Sequence, residues 1–533
     1  MSSAAVSLNG HRPDVVTVAD LIAARAALGE KPLAVIEGET LTYAEADLRA
    51  NRIANALVEL GVGKGDVVAT LMHNSVEHVC TWFGSAKLGA IWAPLNIALV
   101  QLDLKAALAD AAPRVVVVDE ALLGNLAVVG PQLEGAGTTV VVNGKVPPGS
   151  GSVPFQDLLA GSPRRPDVEV EPSDPAGLIF TGGSTGRPKG VLVSNLWYFP
   201  GVLRYGEMLD PRPDDVHIGV GQLCHTIGSA VDVLGPVYWG LTTVLGRRFS
   251  ASRFFDVARA HDGTLTVLVE PVMMALLKQD AREDDADNPL RLAATAAGKM
   301  ADENYDAFRS RFDIDLLELY GQTETGPLGC ISQRLDDRPH RSLGTGNGWA
   351  EIAIADPGDG RILDAEEQGE ILLRPTHPGT FLLGYHRQAE RFVEACRDLW
   401  FHTGDLGHLD QQGYLHFDGR LAHAIRRRGE NIAAAEVEQV LLLHPSIAEC
   451  AVVGVPAELG EEEVKAYVVP RAGEAIEPEE IVHFCEQRIA YFKVPRYVEF
   501  AAELPRSVTK DEVERYKLRE RGIGEAWDRE ATA

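Results

Sequence analysis

Phe180–Gly190 reads FTGGSTGRPKG and directly follows the strand-like run AGLI. It gathers four glycines and three hydroxyl side chains around Arg187 and Lys189. Glycine lets successive N–H groups turn inward and converge on an anion, while the hydroxyls and the lysine add donors. The GxxxxGK[ST] spacing of a Walker A loop is absent. Taken alone, the stretch also reads as a plain flexible turn, so its meaning depends on what stands around it.

Two further segments complete a pattern. Leu319–Gly326, LYGQTETG, offers an aromatic face at Tyr320, hydroxyls at Thr323 and Thr325, and a carboxylate at Glu324. A carboxylate beside phosphate-binding hydroxyls suits a hard, oxygen-seeking cation such as Mg²⁺, although an ordinary glycine-flanked turn has the same composition. Trp400–Arg420 then supplies Asp405 and Arg420. A carboxylate suits ribose hydroxyls, and a guanidinium suits phosphate.

Composition narrows the setting. At 533 residues the chain is too long for one compact core, so two or more domains are expected. With 45% hydrophobic and 24% charged residues, it has the make-up of an ordinary globular protein. Fifty basic residues against 77 acidic ones give a net charge of −27, which argues against nucleic acid or an anionic membrane as the main partner. Local basic patches can still receive a phosphate. No apolar run of about 18 residues marks a membrane span, and the first residues lack the pattern of a secretory signal. The six cysteines are scattered without CxxC or metal-ligand spacing, as in a protein of the reducing cytoplasm.

Along the chain, helical and strand-like patterns alternate to about residue 350, which argues for layered α/β architecture. YAEADLRANRIANALVELG reads as an amphipathic helix ending at Gly61, with a turn at Gly65–Asp66 and a buried strand after it. RVVVVDE and TTVVVNG read as covered parallel strands, and Val146–Pro154 reads as a surface loop. Shorter strands with Gly and Pro turns run from Glu351 to Phe417, suggesting a β-rich subdomain. A domain boundary is expected at Arg420, dividing residues 1–419 from 420–533. Helices at AAAEVEQVLLLHP and EPEEIVHFCEQRI and strands at ECAVVGVP and VKAYVVP make the C-terminal part a small α+β domain.

The three segments, in this order and spacing, resemble the adenylate-forming superfamily of acyl-CoA synthetases, luciferases and peptide-synthetase adenylation domains. The resemblance spans almost the whole chain. LTYAEADLRANRIANAL, GVGKGDVVATLMHNS and LGAIWAPLN look like its N-terminal signatures, and VVGVPAELGEEEVKAYVVP like its C-terminal domain. IRRRGENIAAAEVEQVL and YKLRERG look most like the bacterial crotonobetaine/carnitine and medium-chain CoA-ligase branch.

The resemblance implies a two-step acid–thiol ligase: a carboxylic acid and ATP·Mg²⁺ give an acyl-adenylate, and the CoA thiol then displaces AMP. It implies a large N-terminal domain and a small mobile C-terminal one that rotates about a hinge at 420–423. Thr181, Gly182, Gly183, Ser184, Thr185, Gly186 and Lys189 would hold the ATP phosphates. Tyr320, with Gly321 and Gln322 beside it, would stack on adenine. Thr323 would touch phosphate, and Glu324 would bind Mg²⁺ with Thr181 as second ligand. Asp405 would hold the ribose and Arg420 would reach ribose or phosphate. Gly298 would sit beside the acyl group, His225 would gate or line the acyl pocket, and Arg428 and Gly429 would pass the CoA pantetheine arm. As a lone histidine, His225 reads equally as a buried hydrogen-bonded residue. Dimers are common at this size.

The sequence departs from the family pattern in its C-terminal loop. Leu504–Glu520, LPRSVTKDEVERYKLRE, should carry a lysine that bridges the substrate carboxylate and the α-phosphate. Counted from Leu504 its place falls on Asp511, and counted from Tyr516 it falls on Glu512, because the segment is one residue longer than the pattern. Lys510 stands just upstream, and one residue of extended chain moves a side chain's origin by about 3.5 Å. Either the loop bulges and Lys510 acts as the catalytic lysine, or adenylation is crippled while thioester formation survives, with a partner enzyme supplying the acyl-adenylate. The hinge reads GRLAHAI, with Ala422 and His423 in place of polar anchors, and Gly182 stands where Ser or Thr is common.

The rivals are a non-catalytic relic that binds adenylate or CoA, a luciferase-like oxygenase, and a carrier-loading adenylation domain. The acid itself is not readable. Small residues at Gly228, Ser229 and Ala230 suggest room for a bulky acyl group, which would suit natural-product metabolism in a high-GC bacterium.

Overall fold

The computed structural model describes residues 15–531 apart from 100, 128, 182–188, 297–299, 329–330, 335, 338, 347, 422–423, 428–429, 457–461, 475, 490 and 508–511. Packing divides the chain into two compact units: the residues up to Ile352 together with Leu373–Phe401, and Ala353–Leu372 together with His402–Ala533. The β-rich stretch from Glu351 to Phe417 is therefore shared between the units. The boundary expected at Arg420 concerns motion and returns below as a proposal.

The first unit is built on two eight-stranded sheets. Across the first sheet the strands run Gly384–Tyr385, Lys189–Ser194, Pro175–Thr181, Ile91–Pro94, Val67–Leu71, Val115–Asp119, Thr139–Asn143 and Val153–Pro154. From Pro175–Thr181 onward the pairing is parallel, and the first two strands join antiparallel. Val67–Leu71 and Val115–Asp119 are buried at every position, as strands covered on both faces must be. The last strand, Val153–Pro154, occupies the end of the stretch expected as loop, because its two residues pair with Val141 and Val142.

The second sheet runs Ile331–Ser332, Leu316–Tyr320, Leu292–Ala296, Leu265–Val269, Val216–Gly219, Thr242–Leu245, Pro32–Ile36 and Glu39–Thr42. Only its two edge pairings are antiparallel.

Helix Tyr43–Glu59 starts at a capping box: the Glu45 N–H donates to Thr42 Oγ1, and the Thr42 N–H donates to the Glu45 carboxylate. It packs on helix Val76–Lys87, where a Cβ on Gly84 would lie 2.7 Å from Ile53 Cγ2. Only glycine permits that approach.

The second unit holds strands Phe401–Leu409 and Leu415–Arg420, and the antiparallel hairpin Ala424–Arg427 with Glu430–Ala433. Its terminal sheet orders Ile447–Pro456, Glu462–Pro470, Tyr497–Phe500 and Trp527–Asp528. Helices Ala434–Leu442 and Pro478–Glu486 bury Val437, Leu441, Ile481 and Cys485 in its core. These elements match the small α+β domain expected from the sequence. Helix Ala389–Ala395, by contrast, lies in the stretch expected to be strands and turns; none of its residues is buried, so no apolar stripe marks it. No helix among the described residues is long and apolar enough to cross a membrane.

Candidate active site

The glycine-rich stretch joins two antiparallel strands. Thr181 ends one and Lys189 begins the other, and they face each other as register partners. Gly182, Gly183, Ser184, Thr185 and Gly186 lie outside the described residues. An anion site here would be the crown of a hairpin, without the helix N-terminus that follows a Walker A loop. At the base of the crown, Thr181 Oγ1 is buried and has no hydrogen-bond partner among the described residues. Lys189 Nζ stands 5.2 Å from the Tyr385 ring centroid.

Tyr385 was not anticipated. It lies on the edge strand Gly384–Tyr385 opposite Val191, and its hydroxyl donates to Glu324 Oε1 at 2.9 Å. Burial, and then the Glu324 charge, push the phenol far above its usual range, so it remains a donor at every ordinary pH. The only sequence signal was a tyrosine after a glycine, and its partner lies 61 residues away.

Tyr320 closes strand Leu316–Tyr320 and is buried, with Gly321 exposed after it. The Gln322 N–H donates to Thr325 Oγ1, folding Thr323–Thr325 into one tight turn. The Trp197 indole N–H donates to the Thr323 carbonyl at 3.0 Å, and Thr323 Oγ1 lies 3.3 Å from Thr226 Oγ1. Glu324 is buried in this turn, its carbonyl accepting from Leu382 N. The turn thus joins residues expected for phosphate to the segment expected to line the acyl pocket.

Beneath it, Glu318 is fully buried and takes both its oxygens to Arg341 Nη1 at 3.2 and 3.1 Å. Arg341 also bonds Asp302 and the Met300 carbonyl, so one guanidinium fixes the strand that carries Tyr320. Burial outweighs the arginine and pushes Glu318 up to about 7.

His225 is half-buried, and its Nε2 lies 3.3 Å from Asn96 Nδ2. An amide NH₂ only donates, so this contact requires a neutral imidazole accepting at Nε2. After His225 the chain forms a π-helix, Ile227–Leu234. Asp232 anchors it: Oδ1 meets His217 Nε2 at 2.9 Å, and Oδ2 accepts from the N–H groups of Val220 and Gly221.

Gly228, Ser229 and Ala230, where room for an acyl group is expected, are all buried in this helix. A Cβ on Gly228 would lie 2.1 Å from the Gln222 carbonyl oxygen, so the small size of Gly228 serves close packing against backbone.

In the second unit, Asp405 is 1% exposed and faces Arg420 in register, with Arg420 Nη1 2.9 Å from Asp405 Oδ1. Its own N–H donates to Thr403 Oγ1 within the same strand. The lysine loop is a paired stem. Arg506 bridges Val513, Ser507 N donates to the Glu512 carbonyl at 2.8 Å, and Glu514 N donates to the Pro505 carbonyl at 2.8 Å. Glu512 is thereby committed to the stem, and residues 508–511, including Lys510, are the connection across it. Lys510, Gly298, Arg428 and Gly429 lie outside the described residues.

Among the described residues no group of three or more His, Cys, Asp or Glu could hold a metal. The Glu324 carboxylate and the Thr181 hydroxyl are each oxygen donors of the kind Mg²⁺ takes when water and phosphate oxygens complete its shell.

The family described as AMP-binding enzyme matches residues 22–386, and the AMP-binding enzyme C-terminal domain matches residues 436–510. A crotonobetaine/carnitine–CoA ligase of Escherichia coli O17:K52:H18 is 31% identical over 482 residues, covering 87% of this chain and 90% of that protein. Among solved structures, the anthranilate CoA ligase AuaEII in complex with anthranoyl-AMP superposes with a TM-score of 0.83 at 25% identity, covering 98% of both chains. ATP-bound MatB from Rhodopseudomonas palustris gives a TM-score of 0.83 at 28% identity, covering 94% of this chain and 98% of that one.

Proposed function

The chain belongs to the AMP-binding enzyme family and is an adenylate-forming acyl-CoA ligase, and on that premise we propose that its thioester step is efficient while its ATP-dependent step is slow. The reaction joins a carboxylic acid to CoA through an acyl-adenylate, with release of pyrophosphate and AMP.

The observation that carries this reading is the stem at Ser507–Glu512. The connection between its paired ends, residues 508–511, carries Lys510 with Asp511 next to it in sequence. A preorganised cation aimed at developing negative charge contributes about 3–4 kcal/mol, or 10²–10³ in rate. An adjoining carboxylate repels the same phosphates and offsets part of that gain. The second reading is a fully competent two-step synthetase in which Lys510 acts as the catalytic lysine.

The other roles follow from chemistry. The crown between Thr181 and Lys189, residues 182–186 among them, receives the ATP phosphates. Tyr320 offers its face to adenine beside Gly321 and Gln322, and Thr323 donates to phosphate. Glu324, oriented by Tyr385, and the Thr181 hydroxyl would hold Mg²⁺, which would supply neutralisation of phosphate charge. Asp405, now bonded to Arg420, exchanges that partner for the ribose hydroxyls. The 420–423 hinge then turns the C-terminal domain so that Arg428 and Gly429 admit the thiol of CoA. His225, as a neutral acceptor, borders the acyl group beside Gly298.

Two mixtures test the proposal: acid, ATP and CoA in one, synthetic acyl-adenylate and CoA in the other. Thioester formation about 100-fold faster in the second is expected, and equal rates would establish the fully competent synthetase instead. Robust thioester formation in the second mixture with no pyrophosphate release in the first would mean that a partner enzyme makes the adenylate. No acyl-CoA from either would leave a binding relic.

A further inference from the structure

The carboxyl ends of the parallel strands hold a second cluster of charged groups that the reaction above does not use. Across the first sheet, Val67–Leu71 lies between Ile91–Pro94 and Val115–Asp119. The chain leaves Val67–Leu71 toward one side of the sheet and leaves Val115–Asp119 toward the other. Such a reversal opens a crevice at the strands' carboxyl ends, where open α/β sheets bind ligands. His73 and Asp119 meet at that place. The His73 N–H and its ring Nδ1 both reach Asp119 Oδ2, at 3.0 and 2.8 Å.

Two arginines from the second sheet close over them. Gly246 follows strand Thr242–Leu245, and a Cβ there would lie 2.7 Å from the Arg248 carbonyl oxygen, so glycine permits the turn that brings Arg247 and Arg248 together. Arg248 Nη2 stands 3.1 Å from His73 Nε2, and Arg247 Nη2 stands 3.1 Å from Nδ1 and 3.5 Å from Asp119. Nδ1 thus faces Asp119, and Nε2 faces the Arg248 guanidinium. Among the described residues no carboxylate pairs with the Arg248 guanidinium. The nearby Glu37 accepts from the Arg247 backbone N–H and pairs with Arg253. Two guanidinium groups thus converge on one imidazole in a chain of net charge −27, against a single carboxylate. Each guanidinium has five N–H donors, and both arginines are exposed, the Arg247 side chain by 51%. Paired forks of this kind match the oxygens of a phosphate monoester.

The cluster is also joined to the acyl side. Asn74, next to His73, donates to the carbonyls of Gly221 and Gly246 and accepts from Leu223 N. Gly221–Leu223 leads directly into His225.

We propose that Arg247 and Arg248, seated on His73, form a binding site for the terminal phosphate monoester of the CoA cosubstrate. The proposal rests on the ligase reading for the identity of that cosubstrate. The shared chemistry is a phosphate dianion, and free inorganic phosphate is the other source of it.

The test is calorimetric titration of the full chain and of its Arg247→Ala/Arg248→Ala double variant with CoA, with dephospho-CoA and with inorganic phosphate. Arg253→Ala, a neighbouring exposed arginine, is the control. Both replaced side chains are exposed, so folding is not at stake. Loss of two charge-assisted contacts should weaken CoA about 10- to 100-fold. Dephospho-CoA should bind wild type and the double variant alike, and Arg253→Ala should bind CoA as wild type does. Unchanged CoA affinity, or equal weakening of CoA and dephospho-CoA, overturns the proposal. Loss of inorganic phosphate binding alone overturns the cosubstrate assignment in favour of a free phosphate. A wild type that binds CoA yet makes no thioester sinks the ligase proposal, while the titrations still decide this one.

Discussion

Replacing Tyr385 by phenylalanine removes one oxygen atom and little else. The ring keeps its place beneath Lys189 Nζ, 5.2 Å away, and the edge-strand pairing to Val191 is backbone alone. What is lost is the 2.9 Å hydrogen bond to Glu324 Oε1 between two buried side chains. A buried hydrogen bond to a charged group contributes about 1.5–3 kcal/mol. If that bond aims Glu324 at a nucleotide-borne cation, the cost appears in the adenylation transition state as about a 10- to 100-fold lower rate. The assay is pyrophosphate release at several Mg²⁺ concentrations, run beside thioester formation from synthetic acyl-adenylate. Adenylation should fall by the stated factor and need more Mg²⁺, while the second half-reaction changes by less than about threefold. Equal loss in both half-reactions would show that Tyr385 merely supports the fold. Pyrophosphate release at the wild-type rate would refute the role given to Glu324.

Two further outcomes follow from the packing and the charges. Gly228→Ala drives a Cβ to 2.1 Å from the Gln222 carbonyl oxygen, and overpacking of this kind costs about 1–3 kcal/mol; the first thermal unfolding transition should fall, and an unchanged transition would contradict the π-helix packing. Glu318 has a folded value of about 7 against 4.5 for the free side chain, so its contribution to stability is complete below 4.5 and is lost as the pH rises through about 7. The gap corresponds to at most about 3 kcal/mol. Between pH 5 and pH 8 the wild type should therefore lose stability relative to Glu318→Gln, which denaturant titration at both values would measure; parallel losses would contradict the assignment.

Much of the architecture was legible because its strands are short β-branched runs bounded by polar or turn residues, such as Val115–Asp119 and Thr139–Asn143. The helix Tyr43–Glu59 announced itself by its apolar stripe and by the glycine that follows it, Gly61. The nucleotide side was legible as local motifs, since a glycine-rich hairpin and a tight turn after Tyr320 are written in consecutive residues. What escaped depends on pairings between distant segments. Tyr385 finds Glu324 only through an edge strand two residues long. The convergence of His73, Asp119, Arg247 and Arg248 requires strand order in both sheets. Gly228 read as open space because composition reports the size of a residue and not what fills the space beside it; the π turn puts backbone there. Helix Ala389–Ala395 buries no residue, so hydrophobic periodicity had nothing to detect.

Placing a cation at the position where counting from Leu504 now meets a carboxylate asks the plainest question of this enzyme. In an ATP–pyrophosphate exchange assay without CoA, Asp511→Lys should raise the exchange rate about 10- to 100-fold above wild type. An exchange rate unchanged by that substitution, in a wild type already as fast at exchange as at thioester transfer, would contradict a slow adenylation step.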